Sequence, residues 1–426
     1  MTDAFPARER PDVHSRRVPA SGAGIRPATG ADDAGSRPGS HLAALEPTAP
    51  PPAAAELTAP EPTAPPVTSE PREPEPTAPL PAARTRDPFL DNARGILIAL
   101  VVIGHTLESF EVTTETAGGA LYTWIYSFHM AAFVAISGYL SRSYRNEPRQ
   151  VRRLLTVMVV PFLIFQVLHE LAKMLLLGHQ FELQVVTPAW TLWFLLALLM
   201  WRLVTPVLRI LRYPLVFTVA IAMITPLDPD LDSTLTLGRF FQMMPFFTLG
   251  LATTPQMLRR LKNLPGRVWI GAAVLAAGLW FSVLTHDMFS ASRFFLRGSY
   301  ADGPYETPLA MLMQTLILAT GMIGTIALLL MTPRRGTFWT MIGTRSLTIY
   351  LLHPLVLLPV RYIEEPFTWI DNWWVPLVLV ALGAAITLVL SRGVVVSLTR
   401  WLTEPPVGNL LVKTDPDQPQ AQRVGT

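Results

Sequence analysis

The chain has 426 residues, of which 50% are hydrophobic and only 15% charged, with a formal net charge of +3 and a mean hydropathy of +0.35. It has no cysteine, which excludes disulfides, thiolate metal sites and cysteine nucleophiles. Because a polar N-terminal region is included in the hydropathy mean, the remainder is far more apolar than a soluble domain, and the composition describes a polytopic membrane protein.

Residues 1–84 are rich in Pro, Ala, Thr, Glu and Arg, and the motif EPTAP recurs at Glu46, Glu61 and Glu75. No apolar periodicity is available there for a fold to bury, so the stretch reads as a disordered, partly polyproline cytoplasmic tail without an enzymatic role. No apolar core follows its early arginines, so it does not read as a signal peptide. The membrane domain is expected over 85–404, and a short cytoplasmic tail over 405–426.

A bilayer crossing needs about 20 helical residues. Apolar runs near 89–110, 119–141, 153–177, 189–211, 213–226, 237–252, 267–285, 307–331, 338–361 and 373–401 predict an all-α bundle of about ten transmembrane helices, the fifth and sixth being short. The breaks alternate in charge. Arg84 and Arg86, Arg142 to Arg153, Arg209 and Arg212, Arg259 to Arg267, and Arg334 with Arg335 fall on one side. Glu108, Glu111 and Glu115, Asp228 to Asp232, and Glu364, Glu365 and Asp371 fall on the other. Positive charge marks the cytoplasmic side, so both termini are predicted to be cytoplasmic in a multi-pass inner-membrane protein. The stretch 286–306 breaks the acidic pattern with Arg, His, Asp, Ser and aromatic residues. As the longest loop of that face it is the best place for an acceptor to bind, although an ordinary surface loop has the same composition.

Within the first span stand Arg94 and His105. Eleven helical residues turn through roughly 1,100°, about 20° past three turns, and rise roughly 16 Å, so the two share one stripe that runs across the membrane. In lipid a central arginine costs about 2.5–3.5 kcal/mol, so the stripe must face polar partners or a cavity inside the bundle. Local partners are available, Asp91 one turn before Arg94 and Glu108 one turn after His105, and each could by itself explain its neighbour. Jointly, an arginine at the cytoplasmic mouth suits a phosphorylated donor, and a neutral imidazole deeper in suits a general base acting on an acceptor hydroxyl.

Further polar groups occur at membrane depth. His129 and His353 are candidates to line the cavity, orient substrate or hold His105 through a hydrogen bond. His169 and Glu170 could contact an acceptor or simply reach the interface. Trp190 and Trp193 fit an aromatic belt by default, with sugar stacking by Trp190 as the sharper reading. Gly138, Gly250 and Gly343 allow close helix approach. The sequence holds no Walker-type loop, no paired carboxylates in catalytic register and no His-x-x-x-His spacing, so no metal site is expected.

The motif LDNARGILIALVVIGH, Leu90 to His105, resembles the first span of the acyltransferase-3 family of integral membrane acyltransferases, particularly its fucose 4-O-acetylase-like branch. FHMAAFVAISGYL at Phe128 to Leu140, RRLLTVMVVPFLIF at Arg152 to Phe165, LWFLLAL at Leu192 to Leu198 and RSLTIYLLHPLV at Arg345 to Val356 resemble later spans, in order, over roughly residues 87–400. The resemblance implies a ten-helix bundle that moves an acyl group, usually acetyl, from cytoplasmic acyl-CoA to a hydroxyl of an extracytoplasmic carbohydrate or glycolipid. Acetyl-CoA is then a co-substrate and no cofactor is bound. By position, His105 would be the catalytic histidine, oriented by Glu108, with direct transfer and an acyl-histidine intermediate both open. Arg94 would bind donor, and Arg152 or Arg153 would add charge near the CoA phosphates. Asp91, His129, Trp193 and His353 remain candidates for the cavity or the acceptor. Some members carry a hydrolase-like domain beyond the last span; without one, a second acyl-handling step is expected to need a partner. Besides donor and acceptor, membrane lipids are the expected partners and nucleic acid is not; oligomeric state is not written in the sequence. The rival class is a transporter or flippase of a glycan-type substrate, which would tend to show repeated halves or spans broken in matching positions.

Overall fold

A computed structural model of the chain describes residues 87–406, apart from 113–117, 179, 232–233, 286–287, 289–290 and 363–371. The predicted tail 1–84, nearly all of the predicted C-terminal tail, and the acidic residues Glu115, Asp232, Glu364, Glu365 and Asp371 lie outside the described residues.

The described residues are helical, with no strand among them. Two long helices come first, α1 (Pro88–Ser109) and α2 (Gly119–Leu140). Helix α3 (Pro148–Leu154) runs through a π-turn at Leu155–Val159 into α4 (Val160–Leu177). Next are α5 (Trp193–Ile210), α6 (Pro214–Ile224), α7 (Leu237–Gln242), α8 (Met244–Ala252), α9 (Pro255–Asn263), α10 (Arg267–Thr285) and α11 (Thr307–Met331). The C-terminal part is α12 (Phe338–Thr344), α13 (Ser346–Arg361), α14 (Val375–Leu390) and α15 (Gly393–Thr403). Short 3₁₀ turns cover Ala291–Phe295 and Tyr300–Asp302 in the long loop before α11.

Among the described residues, six helices are long and apolar enough to cross a membrane, and two more crossings form if the bent pairs α12–α13 and α14–α15 each count as one. Those pairs bend by 76° and 74°. The predicted fifth span is a short helix, and the predicted sixth is divided at Met243 into α7 and α8. Pro245 explains the division, since a proline at the start of α8 has no N–H to continue the α7 ladder.

Helix starts follow local chemistry. Asp87 caps α1 by accepting from the Phe89 N–H at 3.0 Å, with Pro88 in the first position, and the Thr254 hydroxyl accepts from the Met257 N–H at 3.2 Å to start α9. Packing at the centre depends on glycine. A Cβ on Gly95 would overlap the Trp339 carbonyl and one on Gly343 the Asp91 carbonyl, so α1 and α12 meet backbone to backbone. Gly138 and Gly250 join α2 to α8 the same way, against Phe247 and Ala135. This agrees with the close approach read from Gly138, Gly250 and Gly343.

Asn92 locks the α1–α12 junction. Its amide donates to the carbonyls of Pro333 at 3.0 Å and Arg335 at 2.7 Å, and its oxygen accepts from the hydroxyls of Thr337 at 2.9 Å and Thr340 at 2.6 Å. Being fully buried and fully satisfied, it costs the core nothing and fixes where the chain re-enters beside α1. Two arginines serve as helix caps: Arg267 of a basic loop donates to the carbonyls of Leu330 and Thr332 at the end of α11, and Arg345, between α12 and α13, to that of Ser391 after α14.

Candidate active site

Helix α1 carries the site. His105 and Glu108, three residues apart, face the same way, and the His105 Nδ1 lies 2.9 Å from Glu108 Oε2. A carboxylate beside Nδ1 draws the ring proton to that atom and leaves Nε2 as the basic nitrogen. The carboxylate is itself held from distant chain segments. Arg361, at the end of α13, donates to Glu108 Oε1 at 2.8 Å, and the Tyr126 hydroxyl on α2 donates to Oε2 at 3.1 Å. The imidazole is enclosed by rings: Trp190 meets it edge-on with centroids 5.0 Å apart, and His353 stacks on it at 5.4 Å with 29° between planes. The Arg361 guanidinium covers the Trp190 ring at 4.5 Å.

Trp190 is held under backbone strain. Its φ of 30° lies in the left-handed region, which is unfavourable for a bulky residue and is retained where the surroundings over-determine it. Gln166 of α4 provides part of that determination. Its amide donates to Gln184 and Thr187 carbonyls at 2.8 and 3.2 Å, and its oxygen accepts from the Ala189 N–H at 2.9 Å.

At the other end of the stripe, Arg94 lies 3.4 Å from Asp91 Oδ1 and donates to the Ser346 hydroxyl at 2.6 Å. Between the two ends, Ile98 and Val101 of the same stripe line a small cavity with His105, Trp193, Phe133 and Tyr350. The buried Tyr350 hydroxyl donates to the Thr191 carbonyl at 2.6 Å, joining α13 to the segment that leads into α5. Near Arg94, Arg202 of α5 shares its field with Arg153 and Arg94, and its Nε donates to the Ser141 hydroxyl at 3.4 Å. Arg94, Arg153 and Arg202 thus form a basic end, while His105, Glu108 and Arg361 form a mixed one.

The remaining predicted candidates are placed as follows. Asp91 pairs locally with Arg94. His129, His353 and His169 each place Nδ1 at 2.7 to 2.9 Å from the carbonyl four residues earlier, Ile125, Ile349 and Phe165. Neither His129 nor His353 therefore holds His105 by a hydrogen bond from that atom; His353 acts on it by stacking, and its buried Nε2 has no hydrogen-bond partner among the described residues. His169 is fully buried rather than at an interface, and Glu170 is used by Lys173 at 2.8 Å. Arg152 and Arg153 lie in the last turn of α3, before the π-turn that leads into α4, with Arg153 exposed. Trp193 lines the inner cavity and is covered by the Arg239 guanidinium at 4.6 Å.

Sequence reasoning passed over Tyr126, Arg202, Arg239 and Arg361. For Arg239 and Arg361 a signal existed, because each is an arginine toward the side where the loops, 286–306 apart, are acidic.

A polar stripe crossing a helical bundle, basic at one end and with a carboxylate-bound histidine at the other, defines the class of protein: the chain belongs to the family described as "Acyltransferase domain", whose model matches residues 87–392. Among curated relatives, nodulation protein NolL of Sinorhizobium fredii is 31% identical over 182 residues, covering 39% of this chain and 49% of the relative. Nodulation protein NolL of Mesorhizobium japonicum is 48% identical over 58 residues, covering 13% of this chain and 16% of the relative. The chain thus matches about half, or less, of the length of these relatives. No solved structure matches it.

Proposed function

We propose that the protein is a membrane-bound O-acyltransferase that moves an acetyl group from cytoplasmic acetyl-CoA to a hydroxyl of an extracytoplasmic carbohydrate or glycoconjugate. The observation that carries this reading is the stripe Arg94, Ile98, Val101, His105, whose middle residues line a cavity between a basic end and a histidine held by a carboxylate. Arg94, Arg153 and Arg202 suit the phosphates of CoA, which enters from the side of the arginine-rich loops. On this reading the chain spans the inner membrane ten times, α6 and the α7–α8 pair each crossing as shortened spans, with both termini cytoplasmic and residues 1–84 a solvated tail.

His105 Nε2 takes the proton of the acceptor hydroxyl as its oxygen attacks the thioester carbonyl. The new C–O bond replaces the C–S bond, CoA leaves as thiolate, and the imidazolium returns the proton to sulfur. Glu108, anchored by Arg361 and Tyr126, stabilises the imidazolium as it forms and keeps Nε2 aimed at the cavity.

The arrangement of broken spans favours an enzyme over a transporter. The two bent pairs are consecutive, α12–α13 and α14–α15, rather than in matching positions of two halves.

The test uses oriented vesicles supplied with labelled acetyl-CoA on the cytoplasmic side only and carbohydrate on the other. Label on the carbohydrate, abolished by His105→Ala, is the expected result. Movement of carbohydrate with no ester formed would favour the transporter.

A further inference from the structure

Arg239 of α7 is a charge that the acyl-transfer chemistry leaves over. The side chain is half-buried, and among the described residues it has no carboxylate partner and donates no hydrogen bond; what it touches is the face of Trp193, a wall of the His105 cavity. The charges acting on it are Arg297, of like sign, and Glu108. Glu108 is already engaged, Oε1 by Arg361 and Oε2 by His105 and Tyr126. A guanidinium withdrawn from water beside another positive charge is unfavourable unless an anion joins it.

Space for that anion is offered by a cavity that Gln242 of the same helix and Arg297 line. Gln242, one turn along α7, donates to the Gly298 carbonyl at 3.1 Å and accepts from Gln314 of α11 at 3.2 Å. These bonds tie α7 to a cavity of about 390 Å³, lined among others by Arg293, Arg297, Tyr300 and Tyr305. That volume lies within the range of about 300–1,000 Å³ typical of small-ligand sites. Asp302 is the one carboxylate lining this cavity among the described residues, and it is used locally, accepting from the Ser299 N–H at 2.8 Å. Arg297 lies over Phe295 at 5.4 Å, and Phe295 packs on Tyr126 at 5.1 Å, the residue that bonds Glu108. A continuous wall therefore leads from a positively charged cavity with tyrosine rings to the reactive histidine.

We infer that the carbohydrate acceptor is anionic, carrying a phosphate or a carboxylate that Arg239 and Arg297 bind while its hydroxyl reaches His105. This rests on the acyltransferase reading for the acceptor's role, but the binding site itself can be tested without catalysis. A phosphodiester-linked sugar and a uronic acid present the same charge to the two guanidiniums and differ in the geometry of the anion.

The experiment uses the full chain in phosphatidylcholine nanodiscs without acetyl-CoA, and measures equilibrium binding of four tritiated probes: decyl glucoside, decyl glucuronide, glucosyl decyl phosphate and decyl phosphate. At least one anionic sugar should bind about tenfold tighter than decyl glucoside, a difference of about 1.4 kcal/mol. In the Arg239→Gln/Arg297→Gln protein that preference should fall below about twofold, with neutral binding unchanged. Preference for the glucuronide identifies a carboxylate, and preference for the phosphate probe identifies a phosphate-linked sugar. Equal binding of neutral and anionic sugars to the wild type overturns the proposal without recourse to any variant. So does a preference that survives in the folded double variant, or decyl phosphate binding as tightly as the sugar phosphate, which would mark a site for lipid phosphate. Adding labelled acetyl-CoA afterwards reads ester formation separately, so failure of transfer is distinguished from failure of anion recognition.

Discussion

The two ends of the α1 stripe are built differently. At Arg94 the carboxylate comes from Asp91, three residues back on the same helix, at 3.4 Å, and one hydroxyl comes from afar, Ser346. At His105 the local partner Glu108 is only the start: Arg361, 253 positions away, holds the second carboxylate oxygen, and Tyr126, Trp190 and His353 enclose the ring from three other segments. An anchor for a flexible phosphorylated donor needs charge at roughly the right place, whereas a base needs one nitrogen held in one direction, which takes contacts from several sides.

That contrast can be broken most directly at the histidine. His105→Ala should lower acetyl transfer by about 10²- to 10⁴-fold, the usual worth of a general base, while the protein stays folded and membrane-inserted. Near-normal turnover would remove any distinction between the ends. Glu108→Gln should cost about a hundredfold in kcat with little change in KM for acetyl-CoA, because the base remains but loses its orientation and its counter-charge. A change confined to KM would instead place Glu108 with the donor.

Arg94→Ala should act the other way round, raising KM for acetyl-CoA about tenfold with a smaller effect on kcat; Arg94→Lys should recover part of the loss, since charge survives and the planar fork does not. An equal fall in kcat for both variants would show that Arg94 works at the reacting atoms. Double-mutant cycles sharpen the comparison further. Read from unfolding in detergent, coupling between Glu108 and Arg361 should reach about 1–3 kcal/mol, and that between Asp91 and Arg94 should stay below about 1 kcal/mol. The smallest effect belongs to the tail: removing residues 1–84 should change activity in isolated membranes by less than about twofold, because that composition cannot bury a core against the enzyme.

Much of this was legible from residue spacing. Arg94 and His105 share a face because eleven residues nearly complete three helical turns, and the pairs Asp91–Arg94 and His105–Glu108 follow from the same period. The close contacts at Gly95 and Gly343 show the limit of such reading: Gly343 was legible as a small residue on an apolar helix, but not that its backbone would meet Asp91. Histidines at membrane depth were visible as candidates, yet their Nδ1 atoms turn back to their own helices, a local alternative that no pattern excludes. Arg239 and Arg361 fell within the predicted spans 237–252 and 338–361, at their ends, where spacing along the chain gave them no partner.

By itself the sequence determined that the chain is built of apolar helices, the basic and acidic alternation along it, and the one stripe that joins an arginine to a histidine, because each depends on neighbours within a few turns of the chain; where the later spans bend or divide it did not determine. Only the tertiary structure decided that Arg361 would close on Glu108, that the strained Trp190 would stand against His105, and that Arg239 would lie over the Trp193 ring instead of beside an acid. Those arrangements depend on which helices pack together, and packing is set by the fit of whole surfaces, glycine against carbonyl and ring against ring, which no periodicity along one chain segment encodes.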